Sequence, residues 1–186
     1  MWFHQEIREE TGCATYLVGS TASGECVVVD PLWEIEPYVR LAGSKGLAVT
    51  HVIDSHAHAD HVSGARRLAA ATGADLYLPE HMQATYPAKR LAGGDRLRLG
   101  EVDLEVVHVP GHRPEQINLV VRDLDRGDEP WCVLTADFLM VGDMARPDLA
   151  QPGEDGARTL FEVSIPRLLA LPDFVEAYPG HVAGST

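Results

Sequence analysis

Residues 56–61, His56-Ala57-His58-Ala59-Asp60-His61, are the stretch that decides the fold of this chain. An apolar, strand-like run precedes the stretch, and an amphipathic, helix-like run follows it. Protonated rings packed this closely would repel one another, and buried neutral rings would be poorly solvated. Because zinc, iron and manganese accept neutral imidazole and carboxylate ligands, the stretch predicts a metal site. A solvated polar loop that is rich in histidine is the alternative.

The composition fits one globular domain. The chain has 186 residues, of which 45% are hydrophobic and 23% are charged. These values predict a single metal-binding catalytic domain over residues 1–186 rather than a disordered chain. The formal net charge of −13 would be repelled by phosphate backbones and by anionic lipid surfaces. The composition therefore argues against a nucleic-acid or membrane partner.

The N-terminal sequence and the cysteine spacing both bear on the compartment of the protein. The first residues lack the basic start and apolar core of a secretion signal, and no apolar run reaches the length of a membrane span. We therefore expect a cytoplasmic protein. Cys13, Cys26 and Cys132 lie far apart without a Cys-x-x-Cys pair, which argues against a disulfide framework or a zinc-thiolate site. The polar segment around Cys13 suggests partial exposure.

The first half of the chain alternates strand-like and helix-like runs. Residues 15–18 and 26–29 predict a hairpin, and residues 47–53 and 76–78 predict further strands. Apolar residues at helical spacing predict helices over 35–45 and 64–72.

The second half has a more antiparallel character. Its apolar or alternating runs predict strands over 96–99, 102–109, 117–122 and 131–135. The Pro-, Gly- and Asp-rich residues 143–156 predict a long loop, followed by a helix over 160–171 and a strand over 174–178. We expect mixed sheets covered by helices.

Two further histidines and one aspartate follow predicted strands. His112 and His181 each end a Pro-Gly-His step, and Asp137 follows an apolar run. Loops at strand ends can bring ligands from distant parts of a chain to one point. We therefore add these three residues to the predicted metal site. The other histidines are not expected to bind metal: His4, His51, His81 and His108.

Geometry limits how these side chains can share metal ions. Four ligands within six residues cannot all reach one tetrahedral ion, but alternate residues of an extended loop point the same way. One arrangement therefore has two adjacent ions, about 3.5–4 Å apart, that together activate a bridging water. The residues divide into a first set of His56, His58 and His112, a second set of Asp60, His61 and His181, and the carboxylate of Asp137 between them.

These seven residues resemble the metal-binding pattern of the metallo-β-lactamase superfamily. All seven positions are filled, in order, over nearly the whole chain. The resemblance implies an α/β (α+β) fold, a four-layer αββα sandwich whose metals lie at one edge between two sheets. The superfamily includes thioesterases, lactonases, ribonucleases and oxygen-reducing enzymes, so the fold does not define the reaction.

Four stretches are similar to the persulfide dioxygenase branch of that superfamily. They are residues 54–64 (DSHAHADHVSG), 109–112 (VPGH), 135–137 (TAD) and 145–149 (ARPDL). The resemblance implies one non-haem Fe(II) held by His56, His112 and Asp137, a two-histidine, one-carboxylate facial triad. The implied reaction oxidises glutathione persulfide to sulfite with O2. The other four residues of the pattern would then support the iron site without binding the iron.

A hydrolase of glutathione thioesters, similar to glyoxalase II, is the main alternative. It would use two Zn(II) ions, or a mixture of iron, zinc and manganese, and Asp60 would orient or deprotonate the metal-bound water. Oxygenation instead needs an iron that changes oxidation state, which zinc cannot do. A lactonase-like hydrolase and a metal-binding domain without activity are further alternatives.

Arg113 and Arg146 are the predicted substrate-binding residues. Arg113, which we also group with Asp60 as catalytic, stands where many relatives have a small residue, and it would meet a substrate carboxylate or pair with Glu115. Arg146 would brace the site or pair with Asp148.

The resemblance also leads to expectations about assembly. Relatives continue beyond the position of Thr186 and often carry a rhodanese domain, so we expect a C-terminally truncated fold with a rhodanese partner or fused domain. A homodimer is a further expectation. The expected small-molecule partners are O2 and a thiol substrate, either glutathione persulfide or a thioester.

Overall fold

The structure is a computed structural model, and it describes residues 1–182. The strands are β1 (Trp2–Ile7), β2 (Ala14–Ser20), β3 (Glu25–Val29), β4 (Ala48–Ile53), β5 (Asp75–Pro79), β6 (Lys89–Leu91), β7 (Arg96–Leu99), β8 (Val102–His108), β9 (Ile117–Asp123), β10 (Cys132–Ala136), β11 (Leu139–Met140), β12 (Asp143–Met144) and β13 (Glu176–Pro179). The helices are α1 (Glu36–Ser44), α2 (Ala65–Thr72), α3 (Gly153–Thr159) and α4 (Ile165–Leu169), with a π-helical turn, Leu160–Ser164, between α3 and α4. Among residues 1–182, no helix has the length and apolar character needed to cross a membrane.

The strands form two large sheets, one from each half of the chain. The first has the order β1-β2-β3-β4-β5-β6, antiparallel up to β3 and parallel from β3 onward. The second has the order β13-β10-β9-β8-β7 and is antiparallel apart from the parallel pair β10 and β13. The predicted hairpin and the antiparallel character of the second half are confirmed.

Strand β2 shows how the sequence creates the layers. Successive side chains of a strand point to opposite faces, so Val18 packs toward the second sheet whereas Leu17 packs toward the helices. Both side chains are 0% exposed. Leu104 and Leu119 of the second sheet complete the core between the sheets. Burying each such side chain stabilises the fold by about 1.5–3 kcal/mol.

Helices cover the outer faces of both sheets. Tyr38 of α1 and Leu68 of α2 pack against the outer face of the first sheet. On the other side of the molecule, Leu160 of the π-helical turn packs with Val109 and Phe138. The layers are therefore helix, sheet, sheet and helix, and the predicted αββα sandwich is confirmed.

Several elements differ from the sequence prediction. Strand β1 is not predicted, because it lies at a sheet edge where its residues are partly exposed and the hydrophobic alternation is weak. The predicted loop 143–156 contains β12 and the start of α3, a helix whose sequence, GEDGART, has no apolar stripe. The predicted helix 160–171 begins with the π-helical turn and ends earlier, at Leu169.

Candidate metal centre

The predicted ligands lie on loops that follow strands of both sheets. Residues 54–64 follow β4, residues 109–116 follow β8, and Asp137 follows β10 directly. His181 comes two residues after β13, which is the parallel neighbour of β10. Because parallel neighbours end at the same edge of a sheet, Asp137 and His181 leave the second sheet together. The fold thus gathers residues from distant parts of the chain at one edge.

Three of the predicted ligands form a compact buried group. One ligand atom from each of His56, His112 and Asp137 lies within 4.8 Å of the others. Asp137 Oδ2 is 3.5 Å from His56 Nε2 and 3.6 Å from His112 Nε2. These distances leave room for one ion bound by two imidazole nitrogens and a carboxylate oxygen. We refer to these residues as the triad.

Hydrogen bonds fix the tautomers of both triad histidines. The Ser55 hydroxyl donates its single proton to Asp30 Oδ2 at 2.7 Å, so it must accept from His56 Nδ1 at 2.9 Å. His112 Nδ1 faces the carbonyl oxygen of Arg146 at 3.1 Å, which can only accept. Both protons therefore sit on Nδ1, and both Nε2 lone pairs are free for a metal. The donor set fits a bound cation.

The His58 ring lies beside that of His56, but its Nε2 faces buried carboxylates. Its Nε2 lies 3.1 Å from Asp30 Oδ1 and 3.9 Å from Asp54 Oδ1, two buried carboxylates. Burial lowers the pKa of His58, but the charge of Asp30 raises it by more, so that it reaches about 9. The contact with Asp30 uses Nε2 and leaves Nδ1 as a further donor atom. Within residues 1–182, His58 forms a compact donor group with Asp60 and His61, whereas His56 and His112 group with Asp137. An ion shared by His56, His58 and His112 stays a prediction.

The remaining residues of the pattern lie beside the triad. Asp60 Oδ1 is 3.2 Å from His61 Nδ1, and Asp60 Oδ2 is 3.4 Å from His181 Nε2. The hydrogen bond from His61 holds the pKa of Asp60 well below its usual range. His61 Nε2 is buried without a hydrogen-bond partner among residues 1–182. These residues therefore offer donor atoms that the triad does not use.

Asp137 joins the two groups. Its Oδ2 faces the triad histidines, whereas its Oδ1 lies 3.4 Å from His181 Nε2. Burial raises the pKa of Asp137, but the hydrogen bond from His181 helps to offset this and to hold the pKa well below its usual range. The carboxylate is therefore ionised, as a metal ligand must be.

The backbone before Asp137 is strained. Ala136 has φ +46, a left-handed conformation that costs a non-glycine residue about 1–2 kcal/mol. A side chain at Gly180 would lie 2.7 Å from Asp137 Oδ1, so only glycine lets this turn approach the carboxylate. Ala136 thus combines a strained backbone conformation with a buried side chain.

The turn that carries His112 rests on the outer helical layer. Gly111 has φ +138, and a side chain there would lie 2.4 Å from Leu160 Cγ. Ser164 of the π-helical turn donates to the carbonyl of Pro110 at 2.5 Å. The π-helical turn therefore supports the Pro-Gly-His step from outside the site.

The two predicted substrate-binding arginines are both paired. Arg113 Nε donates to Glu115 Oε1 at 3.0 Å, and the same oxygen accepts from the backbone N–H of Ala57 at 3.1 Å. Arg113 is thus linked to the loop between the first two histidines. The side chain of Arg146 is 60% exposed and forms an ion pair with Asp148. Its carbonyl, rather than its guanidinium, contacts His112.

Sequence reasoning did not identify Asp30, Asp54 or Cys13 as parts of this site. Asp30 and Asp54 each follow a buried strand directly, the same signal that identified Asp137. Cys13 is buried (4% exposed) rather than partly exposed, and its Sγ lies 3.4 Å from Asp60 Oδ2. None of the four excluded histidines is in a potential metal-binding group within residues 1–182.

An αββα sandwich with histidines and aspartates gathered at one sheet edge defines a class of metal-dependent proteins. The family model described as Metallo-beta-lactamase superfamily matches residues 8–181. The chain belongs to the metallo-β-lactamase superfamily.

Relatives of this chain include two kinds of enzyme. It is 27% identical to human mitochondrial persulfide dioxygenase ETHE1 over 179 residues, which cover 95% of the chain and 67% of that protein. It is 36% identical over 104 residues to the hydroxyacylglutathione hydrolase of Rhodospirillum rubrum, covering 52% of the chain and 38% of the hydrolase. A crystal structure of a metallo-beta-lactamase from Staphylococcus aureus aligns with 100% of the chain at 34% identity and a TM-score of 0.94. The chain spans 57% of that protein.

Proposed function

We propose that this chain is a persulfide dioxygenase that uses one Fe(II) held by His56, His112 and Asp137. When bound, Fe(II) supplies a redox-active centre with open positions for the persulfide sulfur and for dioxygen. The electrons lost by the sulfane sulfur reduce O2, one water is consumed, and glutathione and sulfite leave. The likeness to human persulfide dioxygenase over most of the chain supports this assignment.

The observation that carries the proposal is the compact group formed by one donor atom from each triad residue. Two Nε2 lone pairs and one carboxylate oxygen converge, as a facial triad requires. His58, whose Nε2 pairs with Asp30, belongs to donor groups other than the triad. The arrangement thus favours one ion with open positions.

The protein's own residues have defined parts in this proposal. Ser55 and the carbonyl of Arg146 orient the two histidines. Arg113 is part-buried beside the loop 54–64, and we propose that it binds a carboxylate of the glutathione moiety while Glu115 holds it in place. The substrate is thus a small anionic thiol derivative.

The test is metal analysis of anaerobically purified protein together with dioxygen uptake. We expect about one iron per chain and uptake on addition of glutathione persulfide, with sulfite as product. Dioxygen uptake that stays at background in iron-loaded protein would contradict the proposal. Zinc-loaded protein is the control, because zinc binds similar donors but cannot change oxidation state.

A thioester hydrolase is the second candidate, and one observation favours it. Asp137 Oδ1 faces His181, with Asp60 alongside, so a second ion could join the first through the shared carboxylate. The likeness to the Rhodospirillum rubrum hydrolase also supports this candidate. Release of free thiol from S-lactoylglutathione by zinc-loaded protein, without dioxygen uptake by the iron form, would replace the first proposal with this one.

A further inference from the structure

A cavity opens beside His61 at the edge of the metal centre. Its volume is about 660 Å³, within the range of pockets that hold small molecules. Its apolar wall is formed by Leu32, Trp33 and Val62. His61 also lines the cavity, and its Nδ1 lies 3.2 Å from Asp60 Oδ1. The cavity therefore leads directly to the predicted ligands.

The backbone places Trp33 and Val62 opposite each other. Leu32 and Ser63 form an isolated antiparallel bridge between the loop after β3 and the loop after β4. Trp33 follows Leu32 and Val62 precedes Ser63, so these two residues form the next opposed pair. Opposed side chains of an antiparallel pair lie on the same face. The fold thus presents an indole and a branched aliphatic group side by side at the cavity.

Arg67 of α2 holds Trp33 in place. Its guanidinium carbon lies 5.3 Å from the centroid of the Trp33 ring, a distance at which a cation is attracted to an aromatic face. Arg67 Nη1 donates to the Trp33 carbonyl at 3.0 Å, and Nη2 donates to Glu36 at 2.7 Å. The indole is therefore ordered before a ligand arrives, and a preorganised wall loses little conformational entropy on binding.

Trp33 and Val62 keep much of their apolar surface exposed. Trp33 is 50% exposed and Val62 is 67% exposed. Adjoining exposed apolar side chains beside a polar metal centre are typical of a ligand-binding groove. A hydrocarbon group that covers both side chains would remove this surface from water, which favours binding.

The charges of the wall disfavour an anionic group in this cavity. Arg8 and Glu34 both line it and form an ion pair, so their charges largely cancel. Glu10 leaves the wall with an excess of negative charge. A carboxylate would be repelled here, whereas an uncharged group would not be.

We propose that this cavity binds an uncharged, apolar arm of the persulfide, with Trp33 and Val62 as specificity-determining residues. The inference rests on the proposed function and extends its substrate class to persulfides whose sulfur carries a hydrocarbon arm. Arg113, the proposed partner of a substrate carboxylate, lies outside this cavity. Recognition is thus divided between a charged side at Arg113 and an apolar side at Trp33.

Dioxygen uptake by iron-loaded protein with ethyl, butyl and hexyl persulfide tests this preference. We expect kcat/KM to rise about two- to fourfold with each added methylene group, because burial of each methylene favours binding. Trp33→Ala should remove most of this rise, whereas Trp33→Phe should keep most of it. Phe174→Ala, which alters an exposed aromatic residue outside the cavity, is the matched control. No rise in the parent, or a rise that is unchanged in Trp33→Ala, would overturn the proposal.

Calorimetric titration of zinc-loaded protein with ethanethiol, butanethiol and hexanethiol separates this proposal from the proposed function. Zinc does not change oxidation state, so the titration measures binding without turnover. We expect Kd to fall with each methylene group in the parent and in Phe174→Ala, and much less in Trp33→Ala. The same fall without dioxygen uptake by iron-loaded protein on any persulfide would support the apolar site and contradict the dioxygenase. Uptake with glutathione persulfide, but no dependence of kcat/KM or Kd on chain length, would overturn the apolar site and leave the dioxygenase intact.

Discussion

Asp30 controls the tautomer of His56 through the hydroxyl of Ser55. The hydroxyl donates to Asp30 at 2.7 Å and accepts from His56 Nδ1 at 2.9 Å, which leaves His56 Nε2 free to bind metal. Asp30 also accepts from the Ser55 backbone N–H at 2.6 Å, so the carboxylate fixes the start of the loop that carries the histidines. This relationship leads to the first prediction.

Ser55→Ala should lower the affinity of the triad for Fe(II) by about 10–100-fold, because His56 loses the partner that fixes its tautomer and ring orientation. Anaerobic Fe(II) titration measures the affinity. Ser44→Ala is the control, since Ser44 is exposed and bonds to the carbonyl of Leu41. Equal Fe(II) affinities for the two variants would contradict the proposed role of Ser55.

His112→Ala and His61→Ala should have different effects on activity. His112 supplies an Nε2 to the triad, so its loss should reduce dioxygen uptake to background. His61 pairs with Asp60 outside the triad, so its loss should spare most of the uptake. His81→Ala, at an exposed position, is the control. If His61→Ala abolished the activity of correctly folded, iron-loaded protein, a two-metal mechanism would be favoured.

Ala136→Gly should leave the free energy of unfolding nearly unchanged. Glycine adopts the left-handed conformation without strain, which should stabilise the fold by about 1–2 kcal/mol. Loss of a buried methyl group and the greater freedom of glycine in the unfolded chain should destabilise the fold by a similar amount. Ala42→Gly, inside α1, should instead destabilise by about 1 kcal/mol or more. Urea unfolding compares the two variants. The strain assignment is wrong if both variants lose the same stability.

Glu101 should contribute a pH-dependent part of the stability. Burial raises the pKa of Glu101, but the hydrogen bond from the Ser20 hydroxyl helps to lower it to about 2, below the ordinary value of 4.5. A depressed carboxyl pKa stabilises the fold above pH 4.5, and this contribution is lost as the pH falls toward 2.

Glu101→Gln should therefore cost about 1–2 kcal/mol at pH 7, after allowance for solvent screening, and the variant should lose less stability than the parent on acidification. Unfolding free energies between neutral and acidic pH measure both effects. Glu129→Gln, at an exposed position, is the control. Parallel pH profiles for Glu101→Gln and the parent would disprove the assignment.

The sequence predicted the layers and the gathering of the candidate ligands at one edge because both depend on local patterns. Alternation in β2 sorts Val18 and Leu17 onto opposite faces. His112 and Asp137 each follow a strand, and strand ends meet at a sheet edge. Which atoms approach one another depends on side-chain rotation, and so the pairing of His58 with Asp30 was not predicted.

Other parts of the site depend on contacts between distant segments. Cys13 meets His181 through a backbone bridge that neither local sequence indicates. Leu160 of the π-helical turn packs on Gly111, and the local sequence of neither segment indicates this contact. The cytoplasmic location, the homodimer, the rhodanese partner and the roles of Arg113 and Arg146 remain predictions.

The position of Asp137 between the two donor sets has a thermodynamic consequence. One oxygen faces the triad and the other faces His181, so two cations held on either side would share a single negative charge. Each cation then weakens the attraction that the carboxylate offers to the other. Because such coupling is reciprocal, zinc would lower the affinity for iron by the same factor by which iron lowers the affinity for zinc. The metal content of the protein would then respond to the ratio of the two ions around it.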